Sequence, residues 1–215
     1  METITKPVPG WGLAAMPLAG ESESGDCCVV KAFDKGVLVA VVDALGHGRE
    51  AATAARVAAT TLEKYAHEEP EALIRRCDEL MRETRGAAIS LASFDKRNWT
   101  LTWLGVGNVT GTLICIDPAA SKRVKRMVVR GGVVGFNLPE LQSAVVPVVP
   151  GDTLVMATDG VRIDFTETLP AMFGPQPLAD QILQGYATHN DDALVLVYPC
   201  SIAVDGTVSS EQRRA

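Results

Sequence analysis

Four aspartates stand where apolar runs begin or end. Asp26 opens the run 27–33, Asp43 closes 37–42, Asp159 follows 153–157, and Asp191 precedes 193–198. If neighbouring strands are antiparallel, all four converge on one rim of a sheet. Oxygen-only ligands select hard cations, Mg2+ or Mn2+. Four carboxylates suit two such ions about 3.5–4 Å apart, with Asp43 able to bridge them, and the chemistry of such a pair is in-line displacement at phosphorus.

The chain that must position the first two acids reads as a β-hairpin. Residues 27–33 and 37–42 are β-branched, apolar runs, and Phe33-Asp-Lys-Gly36 between them has turn chemistry. Folding about Asp34–Lys35 pairs Phe33 with Gly36 and, in the same register, Asp26 with Asp43. A bulge at Gly36 would shift this by about one residue. Cross-strand partners have Cβ atoms roughly 4.5–5.5 Å apart. Two acids so placed repel each other, so either their pKa values separate or a cation sits between them. The flanking residues supply no Lys or Arg, which favours metal. The plain alternative is a solvated hairpin.

Gly46-His47-Gly48 then leads into a strong helix former, 49–66. A helix N-terminus exposes unpaired N–H groups that suit an anion, so the turn is a candidate phosphate cradle. His47 is either a turn residue at the helix start or a general acid.

Further along, Ala51, Ala55, Ala58, Leu62 and Tyr65 trace one helical face. A second helix starts at Pro70, buries Leu73, Cys77, Leu80 and Thr84, and ends at Gly86. From residue 87 the pattern turns to β, with strands expected at 87–94, 99–106, 113–116, 124–129, 145–149, 153–157 and 193–198. A first edge strand falls around Trp11, Leu13 and Met16, and a short helix at 178–187. Asp159-Gly160, at a strand exit, is either a turn starter or a site residue.

The length of 215 residues suits one domain, 1–200, followed by a polar tail, 201–215. With 47% hydrophobic and 21% charged residues the chain is globular. A net charge of −6 without a long basic run argues against nucleic acid and anionic membrane as partners, and against a metal-dependent nuclease. Lys122-Arg-Val-Lys-Arg126 reads as a solvated strand or loop. No apolar run reaches about 18 residues, and residues 1–10 lack a signal-peptide core. Five cysteines without a CxxC pair point to a reducing, cytoplasmic setting. Adjacent Cys27 and Cys28 face opposite ways on a strand as core fillers. No zinc spacing, Walker loop, GxGxxG or nucleophile elbow occurs.

Asp26, the Asp43-Ala-Leu-Gly-His-Gly48 turn, Pro150-Gly-Asp-Thr-Leu-Val-Met-Ala-Thr-Asp-Gly160 and Asn190-Asp-Asp192 stand in this order over residues 24–198. Together they resemble the metal-dependent PPM protein phosphatases, most closely the SpoIIE-like branch. The resemblance implies an α+β fold: a two-sheet antiparallel β-sandwich flanked by helices, with α-β-β-α layers. It implies Mn2+ or Mg2+, two ions, held by Asp26, Asp43, the Ala44 carbonyl, Asp159 and Asp191. Asp192 is the second choice for the last position, and Asp43 and Asp159 are the residues on which catalysis depends. It further implies hydrolysis of phosphoserine or phosphothreonine in proteins by a water activated between the ions.

A catalytic domain of this size is similar to the RsbX-type phosphatases, whose substrates are stressosome scaffold and antagonist proteins. Two features depart from eukaryotic members: His47 sits two positions later than their His after the bridging Asp, and Leu18-Ala-Gly-Glu-Ser-Glu-Ser-Gly25 carries no Arg before the first Asp. Phosphate must then be held by metals, backbone N–H groups or a basic residue from elsewhere. A PPM fold that docks phosphoproteins without cleaving them is the rival reading.

Overall fold

The computed structural model describes residues 10–117, 124–167 and 174–200. Two five-stranded antiparallel sheets face each other. The first takes β2 (Asp26–Phe33), β3 (Gly36–Ala44), β4 (Ala87–Asp95), β5 (Thr100–Val106) and β8 (Ala144–Pro147) in that order. The second runs β1 (Gly12–Met16), β10 (Ala193–Pro199), β9 (Thr153–Ala157), β6 (Thr110–Ile114) and β7 (Val124–Arg126). Helices α1 (Gly48–Lys64) and α2 (Pro70–Met81) cover the outer face of the first sheet, and α3 (Pro175–Tyr186) covers that of the second. The layers are therefore α-β-β-α, as the sequence led us to expect.

Strand β3 shows why this arrangement follows from composition. Every residue from Gly36 to Val42 is buried. Val37, Val39 and Val41 point into the core between the sheets, while Leu38, Ala40 and Val42 pack beneath α1 and α2. A strand covered on both faces reads as a continuous apolar run rather than an alternation. Each fully buried Val or Leu contributes about 1.5–3 kcal/mol, so β3 is firmly held between the two layers. Cys27 and Cys28, on neighbouring β2, pack to opposite sides, one under the helices and one between the sheets.

The hairpin has the expected register without a bulge: Phe33 pairs with Gly36 and Asp26 with Asp43. Gly36 is enclosed, since a Cβ there would lie 1.7 Å from the Phe94 carbonyl oxygen.

Several boundaries differ from those expected. Helix α2 ends at Met81 rather than near Gly86, and Thr84 Oγ1 bonds back to the Met81 carbonyl. Its buried stripe is Leu73, Ile74, Cys77 and Met81, whereas Leu80 is 55% exposed. At about 100° per residue the stripe centres on Cys77, leaving Leu80 at its solvent margin. Helix α3 starts three residues earlier than expected because Pro175 is suited to the first helical turn. Strands β7 and β8 are shorter than their apolar runs. Lys122, Arg123 and the polar tail at 201–215 lie outside the described residues. Among the described residues no helix is long and apolar enough to cross a membrane.

Candidate metal centre

Asp26 and Asp43 are direct partners at the open end of the β2–β3 ladder. Burial, then the Asp43 carboxylate, raise the pKa of Asp26 well above the ordinary carboxylate range. The charges of Asp192 and Asp191 add to this, and a hydrogen bond from Thr158 acts against it. Burial likewise pushes Asp43 to about 7, helped by Asp159, Asp191 and Asp192 and opposed by Asn108. Thus the second sheet brings its acids up to those of the first, and the groups that shift Asp26 and Asp43 include no basic side chain.

One atom shows what the cluster lacks. Oδ2 of Asp43 is buried and has no hydrogen-bond partner. An unsatisfied buried oxygen costs about 1–3 kcal/mol, more when charged. An acceptor-only, water-excluded oxygen among carboxylates fits a hard cation. Among the described residues, no three acidic, His or Cys side chains are arranged to hold an ion as they stand. Two of the acids are instead turned to protein donors. Thr158 Oγ1 donates to Asp26 Oδ2 at 2.7 Å, and Asn108 Nδ2 donates to Asp159 Oδ2 at 2.6 Å. Asp159 is exposed and Asp191 half-buried, so both side chains are free of the packed core, and mutual repulsion holds such groups apart when nothing lies between them. We therefore regard the donor set as fitting the metal.

Each acid is placed by a different device. Asp43 ends β3, and the Ala44 amide donates to the Gly25 carbonyl at 3.1 Å, tying the strand end to the approach of Asp26. Asp159 leaves β9 ahead of Gly160, whose Cβ would lie 1.9 Å from the Asp192 carbonyl oxygen. Only glycine lets that turn close against the start of β10, so the turn chemistry of Asp159-Gly160 has a packing reason of its own. The Asp192 amide donates to Asp191 Oδ1 at 2.8 Å.

Asp192, the second choice for the last ligand, is 4% exposed and fully engaged. It accepts the Leu18 amide on one oxygen at 2.7 Å and the Gly25 amide on the other at 2.6 Å. It therefore positions the loop that delivers Asp26, which leaves Asp191 as the outward-facing acid. Asp192→Ala should orphan two amides and lower stability by about 3 kcal/mol, or roughly 6–12 °C in melting temperature for a domain of this size. A thermal melt within about 2 °C of the parent would show that the loop does not depend on this carboxylate.

Sequence reasoning did not find Thr158, Asn108 or Glu21. Thr158 directly follows β9 of the second sheet and reaches Asp26 in the first, while its Oγ1 also accepts the Leu194 amide at 2.9 Å. Its position directly before Asp159 was the one available signal. Glu21 changes the reading of the Gly46–Gly48 turn. Its carboxylate bonds His47 Nδ1 at 2.6 Å and lies against Gly48, where a Cβ would come within 2.6 Å of Oε2. The entrance to α1 expected to cradle phosphate thus already faces a carboxylate. His47 is exposed and occupies the N-cap position without capping through its side chain.

An α-β-β-α sandwich with aspartates from both sheets at one rim defines the PPM phosphatase architecture. In overall fold the chain is similar to a solved structure of RsbX in complex with magnesium (TM-score 0.76, 24% identity, 86% of this chain and 92% of that one). A chain from a structure described as the bacterial stressosome, a modular system adapted to control secondary messenger signaling, gives a TM-score of 0.79. It is 26% identical over 87% of this chain and 97% of that one. Residues 34–198 match the profile of stage II sporulation protein E (SpoIIE), and the chain belongs to this family. It is also 37% identical over 90 residues to the phosphoserine phosphatase RsbX of Bacillus subtilis (strain 168). That match spans 42% of this chain and 45% of RsbX, less than half the length of the curated relative.

Proposed function

We propose that this chain is a metal-dependent protein serine/threonine phosphatase whose substrates are phosphorylated stress-signalling proteins of the stressosome scaffold and antagonist type. The observation that carries this reading is the Asp26–Asp43 pair with its unpartnered Asp43 oxygen. Family membership and the likeness to RsbX support the substrate class.

Asp26, Asp43, the Ala44 carbonyl, Asp159 and Asp191 would hold Mn2+ or Mg2+, two ions by the count of carboxylates. Bound there, the ions would acidify an attacking water and neutralise phosphoryl charge. The chain's own residues set the stage. Thr158 fixes one oxygen of Asp26, Asn108 one oxygen of Asp159, and Asp192 the loop before Asp26. Asp43 is paired on both sides, with Asp26 and Ala88, which fixes its backbone within the first sheet. Preorganisation of this kind is what electrostatic catalysis requires. Five free cysteines support action in the reducing cytoplasm.

The test is phosphate release from a phosphoserine-bearing stressosome scaffold protein with Mn2+ and with EDTA. Release is expected with the metal and absent with the chelator. Binding of the phosphoprotein without turnover of it or of p-nitrophenyl phosphate would identify a docking module instead.

A further inference from the structure

The described groups that act on Asp26 and Asp43 include no cation to meet a phosphoryl dianion, and Glu21 faces the helix entrance. One basic side chain does reach the turn. Asp43 pairs with Ala88 and Ala44 with Ala87, and Leu45 N bonds the Gly86 carbonyl at 3.1 Å. One step further, Arg85 lies opposite Gly46. Its guanidinium closes on that glycine: a Cβ at Gly46 would be 2.6 Å from Arg85 Nη1. Gly46 is also at φ +81°, a conformation that favours glycine. The turn therefore leaves room for Arg85 on Gly46, three residues beyond Asp43, a span of at most about 10 Å.

Arg85 is held there by Glu50, with Nε to Oε2 at 2.7 Å and Nη2 to Oε2 at 2.5 Å. The side chains are 49% and 73% exposed, so the pair is screened by solvent and readily exchanged. A guanidinium matches a phosphate with parallel N–H donors, and such bonds are among the stronger hydrogen bonds. Arg56 likewise pairs with a carboxylate, that of Glu23, and with Thr53 on α1, but no contact among the described residues places it on the Gly46 turn.

We propose that Arg85 engages the phosphoryl group of the substrate, exchanging Glu50 for it, and so supplies the clamp that the loop before Asp26 lacks. This rests on the phosphatase reading above. The ligand class is a phosphomonoester dianion, and Glu50 is its built-in competitor.

The test uses the Mn2+-loaded protein and the variants Arg85→Ala, Arg85→Lys, Glu50→Gln and, as a control, Arg56→Ala. KM and kcat are measured with p-nitrophenyl phosphate, and Ki with inorganic phosphate. Arg85→Ala should raise KM and Ki together by about ten- to a hundred-fold. Arg85→Lys should fall between it and the parent, because charge remains but the fork is lost. Glu50→Gln should lower both constants about two- to five-fold, a sign that a purely structural ion pair would not produce. Arg56→Ala should match the parent. Unchanged KM and Ki in Arg85→Ala would overturn the proposal. If the parent turns over nothing with Mn2+, the phosphatase reading fails, and calorimetric titration with inorganic phosphate decides Arg85 separately. Phosphate binding lost in Arg85→Ala but kept in the parent supports the role; equal binding, or none in the parent, ends it.

Discussion

Asp43→Asn should cut Mn2+-dependent turnover by about a thousand-fold or more, ~4 kcal/mol in the barrier, while making the metal-free protein more stable at pH 8. Both effects come from one carboxylate. It ends a strand buried on both faces, it faces Asp26 across the ladder, and Asp159, Asp191 and Asp192 add to the repulsion. Raised from 3.8 to about 7, it favours the folded state fully only below its unfolded pKa. That contribution is lost progressively as pH rises from 3.8 to about 7, because over that range the unfolded chain has released a proton that the folded protein still holds. Amide replacement keeps the shape and removes the charge. Allowing for relaxation and partial solvation, the gain at pH 8 should be about 1–2 kcal/mol, or roughly 2–8 °C. Below pH 4 parent and variant should converge. Melting curves across pH 4 to 8 with chelator, beside turnover with Mn2+, measure both. Near-parental turnover in the variant would remove Asp43 from the proposed site.

Added Mn2+ should stabilise the parent strongly at pH 8 and weakly at pH 5.5. An ion at a hundred times its dissociation constant adds about 2.7 kcal/mol, roughly 5–11 °C for a domain of this size. At pH 5.5 the ion must displace protons from Asp43 and Asp26, both raised in the fold. Each such proton weakens binding about tenfold per pH unit below the folded pKa. EDTA should reverse the gain, and Asp43→Asn should forfeit most of it. A melting temperature indifferent to Mn2+ and EDTA at pH 8 would show that the aspartates at this rim hold no ion.

Much of this was legible before any coordinates. The pairing of Asp26 with Asp43 is local: a two-residue turn joins two β-branched runs, and the pleat carries the register to the strand ends. The order of the motifs announced the family. The extent of α2 was misread because Thr84 continues the helical spacing past the end of the helix, and its buried face because Met81 rather than Leu80 turns into the core.

What the sequence by itself determined is the set of acids and the strands that carry them. Those depend on side-chain alternation and turn chemistry, which act over a few residues. Only the tertiary structure decided that Asp192 anchors the loop before Asp26, that Thr158 steadies Asp26, that Glu21 faces the α1 entrance, and that Arg85 rests on Gly46. These contacts join segments 26 to 174 residues apart for the hydrogen bonds among them. They exist because two sheets and a helical layer stack at one angle and spacing, a result of summed packing that no local pattern encodes.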